Sequence, residues 1–125
     1  MEKFELEFLI KTSPSVLYTF ISTPSGLAEW FCHDVNIKKE VYTFMWDGSE
    51  EQANLIGKKA GLYIKFHWVD HEDDDTFFEL RIRIDSLTKE VALIVTDFAD
   101  EDELEETQML WANQVNDLKH ALGSH

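Results

Sequence analysis

Hydrophobic and polar positions alternate with a period of two at the start of the chain. Phe4, Leu6, Phe8 and Ile10 interleave with Glu5, Glu7, Leu9 and Lys11, the pattern of a strand with one buried face. The period then changes. Residues 13–31 hold two hydroxyl–proline pairs, Ser13-Pro14 and Thr23-Pro24, each followed by apolar residues: Val16, Leu17, Phe20 and Ile21, then Leu27, Trp30 and Phe31. Proline at the first helical position forfeits no hydrogen bond, and the hydroxyl before it accepts from the free amides. Two short helices in tandem are predicted.

Alternation then returns. Val35 and Ile37 mark a short strand; Tyr42, Phe44 and Trp46 mark a stronger one that ends at the hairpin signal Asp47-Gly48. A weak strand follows through Ala53, Leu55 and Ile56, ending near Gly57. After Gly61, Leu62, Ile64, Phe66 and Trp68 share one face and Tyr63, Lys65 and His67 the other. The turn Asp70–Asp75 leads into the clearest strand, with Phe78, Leu80, Ile82 and Ile84 inward and Glu79, Arg81, Arg83 and Asp85 outward. Such alternation belongs to an antiparallel sheet with one solvated face, the outward charges pairing across strands beside Lys65. Val91–Phe98 is apolar at nearly every position, which predicts a central strand of ambiguous facing.

From Glu103 the period becomes helical. Leu104, Gln108, Trp111, Val115, Leu118 and Leu122 trace one stripe, widened by Leu110 and Ala121, and Gly123 ends it. Asp102 with Glu105 three residues later predicts a capping arrangement at its start. About 20 helical residues rise about 30 Å, and strands of about eight residues span about 26 Å, so this helix can lie along the whole sheet. One helix is narrower than six or seven strands, so the sheet must curl around it. The prediction is an α+β fold in the order β-α-α-β-β-β-β-β-β-α, with a cavity between sheet and helix.

Composition narrows the function classes. The 125 residues carry 25 acids against 11 Lys and Arg, a formal charge of −14. A surface that negative repels phosphate backbones and anionic headgroups, and no basic stripe offsets it, so nucleic-acid binding is excluded. Apolar runs are too short for membrane insertion, and the N-terminus alternates rather than forming a signal peptide. The single cysteine, Cys32, allows no internal disulfide. A cytoplasmic location is expected. No repeat or linker interrupts the chain, so residues 1–125 are read as one domain.

Three segments carry the family signal: the helical pair from Ser13-Pro14 to Trp30-Phe31, the hairpin Phe44-Met45-Trp46-Asp47-Gly48, and the closing helix with Trp111. With these the chain resembles the START-like (SRPBCC) superfamily, the helix-grip or birch-pollen-allergen-like fold, nearest to the branch containing activators of the heat-shock ATPase. Trp46-Asp47-Gly48-Ser49-Glu50-Glu51 and Thr96-Asp97-Phe98-Ala99-Asp100 are similar to those of a bacterial START-like group of unassigned role. The resemblance covers the whole chain and implies lipid or polyketide binding, cyclisation of aromatic polyketides, or co-chaperone action.

The leading expectation is non-enzymatic binding of a hydrophobic or lipid-like small molecule between sheet and C-terminal helix. The predicted inner faces supply Trp30, Phe44, Trp46, Phe66, Trp68, Leu80, Trp111 and Val115 as its wall, with indole N–H groups as polar contacts. Cyclase-type catalysis ranks last, because the inward series of the clearest strands lack acid–base groups; Thr96 and Asp97 are the best polar candidates, and one of them must point inward. Cys32 and His33 face opposite ways in an extended chain, so they form no nucleophile pair. His71–Asp75 lacks the ligand spacing of a metal loop, and neither metal nor cofactor is expected. The alternative is a co-chaperone-like interaction module. An antiparallel meander places Asp47, Glu50 and Glu51, the cluster Asp70–Asp75, and the acids from Asp97 to Glu106 at one edge, expected opposite the paired helices. There Asp73, Asp74 and Asp75 would contact a basic protein surface.

Overall fold

A computed structural model describes residues 1–123. Its elements are β1 (Glu2–Leu9), α1 (Pro14–Ser22), α2 (Pro24–Leu27), β2 (Asp34–Lys38), β3 (Val41–Trp46), β4 (Ser49–Lys59), β5 (Tyr63–Trp68), β6 (Phe78–Ile84), β7 (Val91–Ala99) and α3 (Leu104–Ala121). A single seven-stranded antiparallel sheet runs in the order β1-β7-β6-β5-β4-β3-β2. Six consecutive strands form a meander, and β1 joins its far edge along β7, from Glu2 opposite Ala99 to Leu9 opposite Ala92. The α+β helix-grip architecture follows from this order and the long α3 across the concave face.

Both hydroxyl–proline signals cap as their chemistry requires. Ser13 Oγ accepts from the Val16 amide at 3.2 Å, and Thr23 Oγ1 accepts from the Gly26 amide at 3.0 Å. Leu17 and Ile21 of α1 are buried, whereas Val16 is exposed and Phe20 half-buried. The second helix is shorter than its apolar spacing predicts. It ends at Leu27, and Trp30 and Phe31 lie in a turn held by the Phe31 amide on the Leu27 carbonyl at 2.9 Å. That turn aims the Phe31 ring into the core.

The weak strand is the longest of all. Polar residues from Glu50 to Asn54 hide it in the sequence, but β3 and β5 pair with it on both sides, with a bulge between Leu55 and Gly57. The facing of β7 is also resolved. Leu93, Val95 and Asp97 lie opposite Phe8, Leu6 and Phe4 of β1, and Asp97 contacts Trp111 of α3, so this set faces the helix. Ala92, Ile94 and Thr96 are buried on the convex side, where Glu5, Glu7, Arg81 and Arg83 on the flanking strands surround them. The ion pairs there differ from the expected cross-strand set. Arg81 Nε bonds Glu79 Oε1 within β6 at 2.9 Å, Arg83 reaches Glu7 of β1, and the Lys65 ammonium lies 3.9 Å from the Phe77 ring centre.

The α3 stripe is narrower than predicted. Trp111, Val115 and Leu118 are buried and Leu104 and Leu122 pack partly against the core, but Leu110 is 59% exposed and Ala121 is exposed too. The cap at its start is absent. A 3₁₀ turn, Glu101–Glu103, feeds the helix; Glu103 stands at the cap position with no side-chain bond, and its amide is taken by the Asp100 carbonyl. Asp102 therefore sits inside a turn rather than in the extended geometry a cap needs. Gly123 closes the helix at φ +70°, the left-handed conformation a glycine accepts without strain.

Candidate functional site

The sheet, α3 and the turn after α2 leave one large open groove of about 1120 Å³ at the edge where β3, β5 and β7 end. All four tryptophans of the chain line it. Trp30 and Trp111, each 5% exposed, form its floor, and the half-buried Trp46 and Trp68 its sheet-side wall. Cross-strand pairing explains the wall. Trp46 stands opposite Ser49 and Phe44 opposite Glu51, while Ala53 stands opposite Trp68, so β4 puts Ser49, Glu51 and Ala53 on the concave face between two indole-bearing strands. Small and polar residues there leave unfilled the space that large ones would occupy.

The indoles are held from behind. Trp30 Nε1 donates to the Phe20 carbonyl at 2.8 Å, Trp46 Nε1 to the Phe31 carbonyl at 2.8 Å, and Trp111 Nε1 to Asp97 Oδ2 at 2.8 Å. Their N–H groups are thus spent on the protein, contrary to the sequence expectation that they meet a ligand. What these three leave on offer is ring surface. The Phe31 carbonyl also accepts from Gln114 Nε2 at 3.0 Å, which ties α3 to the same turn.

Beneath the floor the interior is filled. The Phe31 ring stacks on Phe78 and on Trp111, each at 5.7 Å between centres, and meets Phe44 edge-on at 5.0 Å. Phe44 in turn packs edge-on to Phe66, and Phe66 stacks on Phe78 at 5.0 Å. Of the eight residues predicted to wall a cavity, Trp30, Trp46, Trp68 and Trp111 come together around the groove. Phe44, Phe66, Leu80 and Val115 do not: they are sealed in the core, because Phe31 wedges between helix and sheet and closes the space in front of them. Phe31 was legible as an apolar helix position and as the end of the first family segment, not as a wedge between helix and sheet. Gln114, three residues from Trp111 and so on the same helical face, was readable from spacing but carried no apolar signal.

The groove's lining is acidic. Glu29, Glu51, Asp70, Asp97 and Asp117 belong to it. Asp97 is the inward polar group of β7. Its Oδ1 accepts from the Phe98 amide at 2.8 Å and its Oδ2 from Trp111. Burial raises the Asp97 carboxyl above its usual range, against the pull of the Trp111 and Phe98 bonds and of the His71 charge. A folded-state value above the unfolded one means the native state keeps a proton the unfolded chain has released. That contribution is present at acid pH and is lost as pH rises through the window above about 3.9. Wild type should therefore lose stability relative to Asp97→Asn as pH climbs from acid to neutral, measured by urea unfolding across that range; a pH-independent difference would contradict it.

Cys32 is a buried thiol pushed up to about 11, chiefly by desolvation and further by the Asp34 charge, and His33 is exposed; the two make no nucleophile pair. Asp73, Asp74 and Asp75 are exposed in the β5–β6 turn, where the Asp75 amide bonds Asp73 Oδ1 at 2.9 Å. They lie outside the groove lining, which Asp70 and His71 reach. The acidic edge is not opposite the helical pair as expected. The turn after α2 ends at this edge, as the Trp46–Phe31 bond shows, because α1 starts from the other end of the sheet and runs across. Among the described residues no helix is long and apolar enough to cross a membrane.

Comparison with known proteins agrees with the fold. A family model described as a START-like superfamily domain matches residues 1–124. A Bacteroides fragilis protein solved by solution NMR is 36% identical over 97% of this chain and 90% of its own, with a TM-score of 0.67. The Aha1 dimer from Colwellia psychrerythraea gives a TM-score of 0.81 at 17% identity, covering 98% of this chain and 96% of that one. DynU16, a protein of the dynemicin biosynthetic locus, gives 0.79 at 13% identity over 98% of this chain and 48% of its own. At such identities the last two report on fold alone. Curated proteins yield no match to the chain.

Proposed function

Because the chain belongs to the START-like superfamily, we propose that it binds a hydrophobic small molecule, without chemistry, in the groove walled by its tryptophans. One observation carries the reading: a groove large enough for a drug-sized molecule is lined by every tryptophan in the chain. Three of those indoles are fixed by hydrogen bonds to the protein, so the wall is organised before a ligand arrives and little ordering entropy opposes binding. The seat is the open edge of the grip rather than its sealed interior. Binding fits better than catalysis because both oxygens of Asp97, the buried carboxyl at the floor, are already engaged as acceptors.

Leu110 tests the reading. It stands 59% exposed on α3 at the groove's rim, so a charge there disturbs no core. A neutral naphthalene fluorophore should bind saturably and quench tryptophan emission. Leu110→Glu should weaken that binding by about tenfold, roughly 1.4 kcal/mol, with an unchanged melting temperature. Absence of saturable quenching in the wild type would remove the proposal.

A further inference from the structure

The charge around the groove specifies more than its apolar wall does. Among the described residues its lining holds five carboxylates and no lysine or arginine. A fatty acid or a phosphate-bearing lipid would meet those carboxylates with only the imidazoles of His33, His71 and His120, and no permanent positive charge, to receive its headgroup. The geometry instead favours a positive charge. Trp46 and Trp68 stand with ring centres 6.4 Å apart and planes at 49°, and β4, the strand between theirs, carries Glu51 on the same concave face. Aromatic faces attract cations through the ring quadrupole, most strongly for indole, and a neighbouring carboxylate adds direct Coulomb attraction. The Trp46 N–H is turned away to the Phe31 carbonyl, so this indole offers its ring rather than a donor that would repel a cation.

We propose that the ligand is a small organic cation, a flat apolar body bearing an ammonium group, whose charge sits between Trp46 and Trp68 against Glu51. This rests on the binding role proposed above and names the ligand's class. Three isosteres separate the two ideas: naphthylmethylammonium, naphthylmethanol and naphthoate, titrated at pH 8 by tryptophan quenching. The cation should bind at least tenfold more tightly than the alcohol, and the anion most weakly of the three. Glu51 lies on an exposed stretch of β4, so Glu51→Gln should keep the fold. That variant should cut the cation's advantage over the alcohol to about threefold or less.

Equal binding of cation and alcohol overturns the cationic assignment while the apolar groove stands. A cation preference indifferent to Glu51→Gln overturns the seat. If none of the three binds, the groove reading itself fails. Binding of a lysine-rich peptide but of none of the three would replace the small cation with a basic protein surface.

Discussion

Phe31→Ala should destabilise the protein by about 3–5 kcal/mol, the cost of emptying a large aromatic site that cannot collapse. The Phe31 ring is stacked on Phe78 and Trp111 and meets Phe44 and Trp46 edge-on, so its loss leaves a void between α3 and the sheet. Neither side can close that void. The backbone of residue 31 is held by two side chains, Trp46 and Gln114, which bond its carbonyl and keep the turn in place around the missing ring. Domains of this size have a total stability of about 5–15 kcal/mol, so the loss should lower the melting temperature by about 10–20 °C. Calorimetry reads this directly, and near-UV circular dichroism should weaken because Trp46 and Trp111 lose a ring partner. A shift under about 3 °C would show that Phe31 is not the wedge between helix and sheet.

The second large effect is expected at Gly26. This residue is buried in α2, and a Cβ built there would lie 2.3 Å from the Thr19 carbonyl oxygen, 2.6 Å from Phe20 Cα and 2.8 Å from Thr23 Oγ1. Two of those three atoms belong to the α1 backbone, so no rotamer change relieves the contact. Gly26→Ala must push α1 and α2 apart, which also stretches the Thr23 cap on the Gly26 amide. Overpacking of this kind costs about 1–3 kcal/mol, and a clash with rigid backbone belongs at the upper end. Guanidinium unfolding should show a loss of about 3 kcal/mol. Ser25→Ala, next to it and exposed, should change stability by under about 0.5 kcal/mol. If both variants behave alike, the two helices are not packed as closely as described.

These two residues mark where sequence reasoning reached and where it stopped. Nothing in the sequence singles out Gly26, because no local pattern records that another helix passes over it. Phe31 reads as an apolar helix position at the end of the first family segment. The groove was half legible. Trp46 and Trp68 sit at strand ends with clear alternation, and Trp111 on a clear helical stripe, so their inward facing followed from period alone. Phe44 and Phe66 show the same alternation and are nevertheless sealed in the core. Periodicity reports which face a residue is on, never how far along the sheet the filled interior ends.

By itself the sequence determined the order of the elements, the capping of α1 and α2 by Ser13 and Thr23, the one-sided facing of β5 and β6, and the amphipathic closing helix. All of these depend on interactions within a few residues or on the pitch of one element. Tertiary structure alone decided the length of β4, the inward facing of Asp97, the exposure of Leu110 and the meeting of four tryptophans at one edge. Each depends on what a distant segment brings: two neighbours pairing with a polar strand, an indole arriving from α3, a phenyl ring wedged from the turn after α2. Burial is a property of the pair in contact, and a single segment carries only one member of it.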